Sequence, residues 1–285
     1  MIKDITLGQY LPGNSIIHKL DPRTKLILTV LFMMALFLLN SIYALLTALV
    51  FVLVCFKLAN ISFKYAFKGI KPILYIIIFT TILNIFFTSG TVIFTWSFIS
   101  ITKEGITSAI LVALRVFTLI SSASIMTYTT TPIMLTDSIE KLFNPLKKIK
   151  VPVHEMAMMM TISLRFIPTL IDETDKIMKA QASRGADIGT GNIIERAKSF
   201  IPILVPLFVS SFKRADDLAI AMESRCYKGG EGRTSMRVLQ FKKRDYITYI
   251  IFLIFIVFLF AMQHLLWCFV YLLLLFVDIT IYILI

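Results

Sequence analysis

Charge is scarce in this chain and cysteine scarcer. Asp, Glu, Lys and Arg make up only 16% of its 285 residues, against 58% apolar residues. Ordinary soluble domains carry about a quarter charged residues and at most about half apolar ones, so a soluble fold of common composition is excluded. The three cysteines, Cys55, Cys226 and Cys268, are too scattered for a disulfide framework or a metal-binding pair. No GxxxxGK[ST] loop occurs, so the chain has no P-loop for a nucleotide. No His, Cys and acidic residues recur at metal-ligand spacing, and no metal or other cofactor is expected in the chain itself. The first 25 residues are mostly polar, and no small-residue cleavage site follows the first apolar run; a cleavable leader is not expected.

What the chain has in abundance is long apolar runs, and its mean hydropathy is +0.84. Runs at about 26–39, 42–56, 72–87 and 105–127 approach or reach the roughly 20 residues that cross a bilayer as a helix. Asn40-Ser41 reads as a tight turn between the first two. Residues 246–285 return to the membrane, with Gln263-His264 dividing them into two spans or lying within one. The expected fold is therefore all-α and polytopic, with five or six transmembrane helices. Arg115 falls inside the fourth run, where an unpartnered cation is costly. An interhelical hydrogen-bond anchor is the expected role.

The net charge of +12 is explained by where the basic residues lie, without nucleic acid as a partner. Residues 57–71 carry Lys57, Lys64, Lys68 and Lys71 with no acid and read as a cytoplasmic loop. Residues 88–104 hold only Lys103 and Glu104 and read as an outside loop. With the N-terminal arm (1–25) inside, four spans (26–127) return the chain to the cytoplasm. There the block 128–245 holds 19 of the 29 Lys and Arg and 13 of the 17 acids. Pro12-Gly13 and Asp21-Pro22 mark turns in the arm.

The block 128–245 is too amphipathic to span and too apolar for a solvated tail. One helical segment is expected from Pro152 to Arg184, about 50 Å long, bent at Pro168 and stopped at Gly185. Val153, Met156, Met160, Leu164, Ile167, Ile171 and Met178 form its apolar face. A second segment runs from Asn192 to Cys226, with Pro202 and Pro206 breaking its first half and Leu204, Phe208, Phe212, Ala215, Ala219 and Met222 along one face. An offset of 41 residues aligns Arg184 with Arg225, Ser183 with Ser224 and Asp175 with Asp216. Two long helices thus end in the same Ser-Arg-small device. The small residues leave the guanidinium free, and its five rigid donors suit a partner's carboxylates or carbonyls. Each arginine could instead merely complement the dipole of its own helix. Met156, Met158, Met159 and Met160 form a pliable patch suited to several partners, or equally to filling a helix–helix core.

Two other classes compete. Asp172, Asp175, Asp216 and Asp217 could hold magnesium in a membrane-embedded lipid or prenyl transferase, although a solvated helix face accounts for them more simply. A secondary transporter would show inverted repeats and polar residues at mid-membrane, and only Arg115 clearly qualifies.

The arm YLPGNSIIHKLDPRTKL (10–26), the block TTTPIMLTDSIEKLFNPLKKIKVPVHEMAMMMTISLRFIPTLIDETDKIMKAQASRG (129–185) and AMESRCY (221–227) carry a family likeness. Across essentially its whole length the chain resembles the transmembrane T component of energy-coupling factor (ECF) transporters, the EcfT/CbiQ-like family. The resemblance implies a non-catalytic coupling subunit in the bacterial plasma membrane, serving uptake of a vitamin or another micronutrient, including transition metals. It implies two ABC-type ATPases as partners, which bind the ATP and Mg and dock at Ser183-Arg184-Gly185 and Ser224-Arg225-Cys226. It also implies a membrane-embedded substrate-binding S component, held against the coupling helices; Met156, Met159, Met160 and Leu164 are the expected contact.

The positive-inside reading has a direct check. Cysteines replacing Lys64 or Lys148 are expected to resist membrane-impermeant thiol reagents applied outside intact cells; ready labelling of either would overturn the topology.

Overall fold

The computed structural model describes residues 10–96, 99–186, 192–230 and 239–284. The first nine residues of the arm lie outside them, as do parts of the 128–245 block at 187–191 and 231–238. Among the described residues the only strands are those of one hairpin, the regular structure being otherwise helical, and they divide into two compact units, one of residues 10–131 with 239–284, the other of residues 132–230.

In the first unit, α1 (Pro22–Leu38) starts four residues before the apolar run. Asp21-Pro22 is a helix start as well as a turn signal. The Asp21 carboxylate accepts the Arg23 N–H at 2.9 Å, and proline at the first helical position needs no hydrogen-bond partner. Residues 39–41 turn the chain into α2 (Ile42–Leu58). α3 (Phe63–Phe87) begins well before Pro72, so most of the expected loop at 57–71 is helix.

The expected outside loop at 88–104 is also more ordered than a bare loop, with β1 (Val92–Trp96) and β2 (Ile99–Thr102) paired antiparallel. Its few charges are used to close it. Glu104 accepts the Thr91 N–H at 2.7 Å. The Thr102 hydroxyl caps α4 (Lys103–Thr129) through the Gly105 N–H at 3.0 Å and donates to the Thr88 carbonyl at 2.8 Å. Gly105 is required there, since a Cβ would lie 2.8 Å from the Thr102 hydroxyl and 3.0 Å from the Ile85 carbonyl.

α9 (Lys243–Leu284) runs unbroken through Gln263-His264. Its 42 residues make about 63 Å at 1.5 Å per residue, about twice a hydrocarbon core. Two side chains set its register against α1. Asp245, only 2% exposed, accepts the Asp21 N–H at 2.9 Å at one end, and Gln263 accepts the Asn40 N–H at 3.4 Å at the other. Residues 245–263 therefore run parallel to α1 over its full length.

The core of this unit is apolar. α2 contributes Ala44, Leu45, Ala48, Val52 and Phe56, a single helical stripe whose alanines allow close approach. Phe51 stacks on Phe255 at 4.0 Å, and Phe32 meets Phe252 edge-on. The outward residues, among them Val30, Leu31, Met34, Phe37, Val50 and Leu53, are apolar too. Helices apolar on all sides suit lipid and not water. Arg115 anchors the turn at 39–41: its Nη2 donates to the Leu39 carbonyl at 2.6 Å and to Asn40 Oδ1 at 3.2 Å. These groups lie at the C-terminus of α1, where helix carbonyls lack partners and the dipole favours a cation.

The second unit contains α5 (Pro132–Phe143), a 3₁₀ turn at 144–149, α6 (Val153–Ser183), α7 (Ile193–Ser199) and α8 (Ile201–Ser224). The expected single segment from Asn192 to Cys226 is two helices separated at Phe200. Pro202 falls in the first turn of α8, where proline favours initiation, and only Pro206 lies within the helix.

Asp245 is the polar joint of the first unit, because its second oxygen also accepts the Lys242 N–H at 2.8 Å, closing the start of α9. Asp245→Ala strands two backbone donors and is expected to cost about 2–3 kcal/mol, read as an earlier melting transition of the purified chain; an unchanged transition would contradict this role.

Candidate functional site

The second unit is organised by the packing of α6 on α8. Glu173 on α6 accepts from both the Ser210 hydroxyl and the Arg214 guanidinium on α8. Gln181, near the end of α6, donates through Nε2 to the Pro202 carbonyl at 3.4 Å. That carbonyl is free because Pro206, four residues on, has no N–H to offer it. Beyond the end of α8, Gly230 lies against His154 in the first turn of α6, leaving no space for a Cβ, which would be 2.6 Å from the ring. His154 Nδ1 pairs with Glu140 of α5 at 2.8 Å. The C-terminus of α6 thus lies by the N-terminus of α8, and the reverse holds at the other end: the two helices are antiparallel.

Both helices stop by the same hydrogen-bond pattern. After α6, the Gly185 N–H donates to the Ala182 carbonyl at 3.0 Å and the Ala186 N–H to the Gln181 carbonyl at 3.1 Å. After α8, the Cys226 N–H donates to the Glu223 carbonyl at 2.8 Å and the Tyr227 N–H to the Met222 carbonyl at 3.0 Å. Each is a Schellman motif, with the arginine as the C-cap and the following residue left-handed. Gly185 has φ 82° and Cys226 has φ 57°. The small residue after each arginine is therefore accounted for by the helix stop, glycine at ease there and cysteine strained. The arginine is not accounted for in the same way. Arg184 and Arg225 are exposed, and among the described residues neither guanidinium has a hydrogen-bond or ion-pair partner. Ser183 and Ser224 turn their hydroxyls back to the Lys179 and Ala221 carbonyls, so they too stay within their own helices.

Sequence reasoning missed Glu173, Ser210 and Arg214, although the 41-residue offset pairs Glu173 with Arg214 just as it pairs Arg184 with Arg225. Each arginine tip lies eleven residues beyond this contact, about 16 Å along its helix. Because the helices are antiparallel the tips point opposite ways, up to about 33 Å apart.

Met156, Met159, Met160 and Leu164 line one open groove on α6, together with Ser163 and with Thr136 of α5. The three methionines are exposed, so they do not fill a core within this chain. The apolar face expected on α8 is also turned outward: Phe208 is 60% and Phe212 69% exposed. The inward side is instead Ile203, Leu207, Ser210, Arg214 and Leu218. Among the described residues no three His, Cys, Asp or Glu side chains come together to hold a metal ion, so Asp172, Asp175, Asp216 and Asp217 form no such site.

Apolar-sided helices in one unit and uncovered apolar faces in the other define the class, an α-helical membrane protein that works by assembly. Residues 13–236 match the family described as cobalt transport protein, CbiQ. The chain belongs to this family, within which it is an EcfT-type transmembrane component of an energy-coupling factor transporter. It is 61% identical over 247 residues to the energy-coupling factor transporter transmembrane protein EcfT of Ruminiclostridium cellulolyticum, covering 87% of this chain and 92% of the relative. It is 54% identical to EcfT of Clostridium kluyveri over 249 residues, 87% and 92% of the two chains. Against EcfT of Bacillus subtilis the identity is 50% over 248 residues, 86% and 93% of the two.

Proposed function

We propose that this chain is the non-catalytic coupling subunit of its transporter, with Arg184 and Arg225 each docking one of two ABC-type ATPase subunits that bind the ATP and Mg. The observation that carries the reading is the pair of unpartnered arginines on identical helix stops, equidistant from one ion-paired contact and pointing opposite ways. A single socket would not need two such tips. Two related ATPases, placed about a twofold axis, present two equivalent sockets. When the ATPases close, the tips move and α6 and α8 turn about the Glu173–Arg214 contact.

The uncovered faces of the same helices supply the second half of the device. The Met156, Met159, Met160 and Leu164 groove receives a membrane-embedded S component, and methionine's flexible thioether adapts to more than one such surface. The outward Phe208 and Phe212 face offers further apolar area. Movement of α6 and α8 then tilts the S component and turns its pocket from outside to inside. The S component selects the cargo, a vitamin or another micronutrient such as a transition metal. In this reading the arm and the 128–245 block are cytoplasmic and the chain is multi-pass in the bacterial plasma membrane, as the distribution of Lys and Arg favours.

Truncating one member of a buried charged contact costs about 2–5 kcal/mol. Arg184→Ala or Arg225→Ala is expected to weaken uptake with part of the complex retained. The double variant should lose both ATPases, or leave them hydrolysing ATP without transport. Lysine rescues poorly, lacking the planar fork. Normal transport by the double variant would refute the docking role. Asp at Met156, Met159 and Met160 is expected to release the S component while the ATPases remain; equal loss of both would place the S component elsewhere.

A further inference from the structure

Between α1, α2, α4 and α9 the first unit holds a cavity of about 160 Å³, open on one side, that the coupling role does not use. Phe32, Phe51, Val52, Ile125 and Phe252 make most of its wall. Apolar cavities of about this size stay dry, because a water there finds too few polar partners, and they take up apolar guests. Most of the polar residues that line it are already satisfied. The Thr29, Ser122 and Thr248 hydroxyls donate to the Lys25, Leu119 and Arg244 carbonyls of their own helices.

One end is different. The Lys25 ammonium reaches the Thr129 carbonyl at 2.9 Å and the His18 carbonyl at 3.4 Å, which leaves its third N–H for another acceptor. Thr129 is 2% exposed, and its hydroxyl has no hydrogen-bond partner. A buried hydroxyl without a partner is costly, and a ligand oxygen would relieve it. The Asp21 and Asp245 carboxylates lie close enough to offset the Lys25 charge, and Asp21 is already paired with Arg23. The polar end therefore calls for a neutral acceptor and not an anion.

We propose that this cavity binds the ester end of one acyl chain of a membrane phospholipid, the first few methylenes filling it, the rest of the chain lying in the bilayer, and the ester carbonyl accepting from Lys25 and Thr129. Lys25 lies in the first turn of α1, level with the start of α9, where the ester groups of a bilayer border its hydrocarbon. The mouth is apolar, with half-buried Leu28 and Met126 beside Ile251, which is 57% exposed, so the chain can enter sideways from lipid. A lipid held in this way ties α1, α2, α4 and α9 together through a shared guest.

The test is to reconstitute the full chain in phosphatidylcholine vesicles doped with phosphatidylcholine bearing a diazirine at the ester end of one acyl chain. Irradiation followed by peptide mass spectrometry locates the adducts. They are expected severalfold enriched on Phe32, Phe51 and Ile125 over the outward Val30, Phe37 and Val50. Thr129→Val removes only the unpartnered hydroxyl, so it should leave the melting of the lipid-free chain unchanged or raised while lowering cavity adducts severalfold. Replacing the doped lipid with a phosphatidylglycerol carrying the same diazirine chain should leave the yield unchanged. Labelling confined to outward residues, undiminished labelling of Thr129→Val, or labelling that requires the anionic headgroup would each overturn the proposal.

Discussion

The second unit turns on one carboxylate. Glu173 holds Ser210 and Arg214 from a helix that offers few other polar contacts, and it fixes where α6 and α8 meet. Uncovered apolar faces cannot fix a register by themselves, because apolar contact is non-directional. An ion pair with a second hydrogen bond can. Everything proposed about coupling depends on that meeting point, since it sets the two arginine tips at equal distances on opposite sides. Gln181 on the Pro202 carbonyl and Gly230 against His154 then hold the two ends of the pair.

The first unit follows the same logic in lipid, where polar groups are rare and a few of them fix the helix ends. Arg115 satisfies the end of α1, while Asp245 ties the beginnings of α1 and α9 together. Gln263 marks the level at which α9 has run the length of α1, with about half of that helix still to come. These three side chains set the ends of the helices, and apolar packing fills the length between them.

Much of this was legible in the sequence. Apolar runs gave the helices, since lipid demands long stretches without charge, and Arg115 was readable as an anchor because an unpartnered cation there is prohibitive. Gly185 as a helix stop was readable from its freedom at positive φ. Cys226 in the same conformation was not, because cysteine carries no such signal; only the repeat of Ser-Arg pointed to it. Asp21-Pro22 read as a turn, although the same pair starts a helix once an apolar run follows. The hairpin at 92–102 was missed because short strands in an uncharged segment show no distinct period. The face of α8 was identified but not its direction: a stripe of phenylalanines looks the same whether it meets a core or awaits a partner. Glu173 and Arg214 give no sign of their pairing in the sequence, because two charges on separate helices meet only once the fold brings them together.

The central claim is that each arginine tip occupies a separate ATPase subunit. The most direct measurement places a photoreactive amino acid at positions 184 and 225 of one chain in the intact membrane complex and determines what each captures. The account predicts one chain joined to two ATPase subunits, one through each position, with each single-site variant joined to one. Capture of the same ATPase subunit by both positions, or of none, would contradict it.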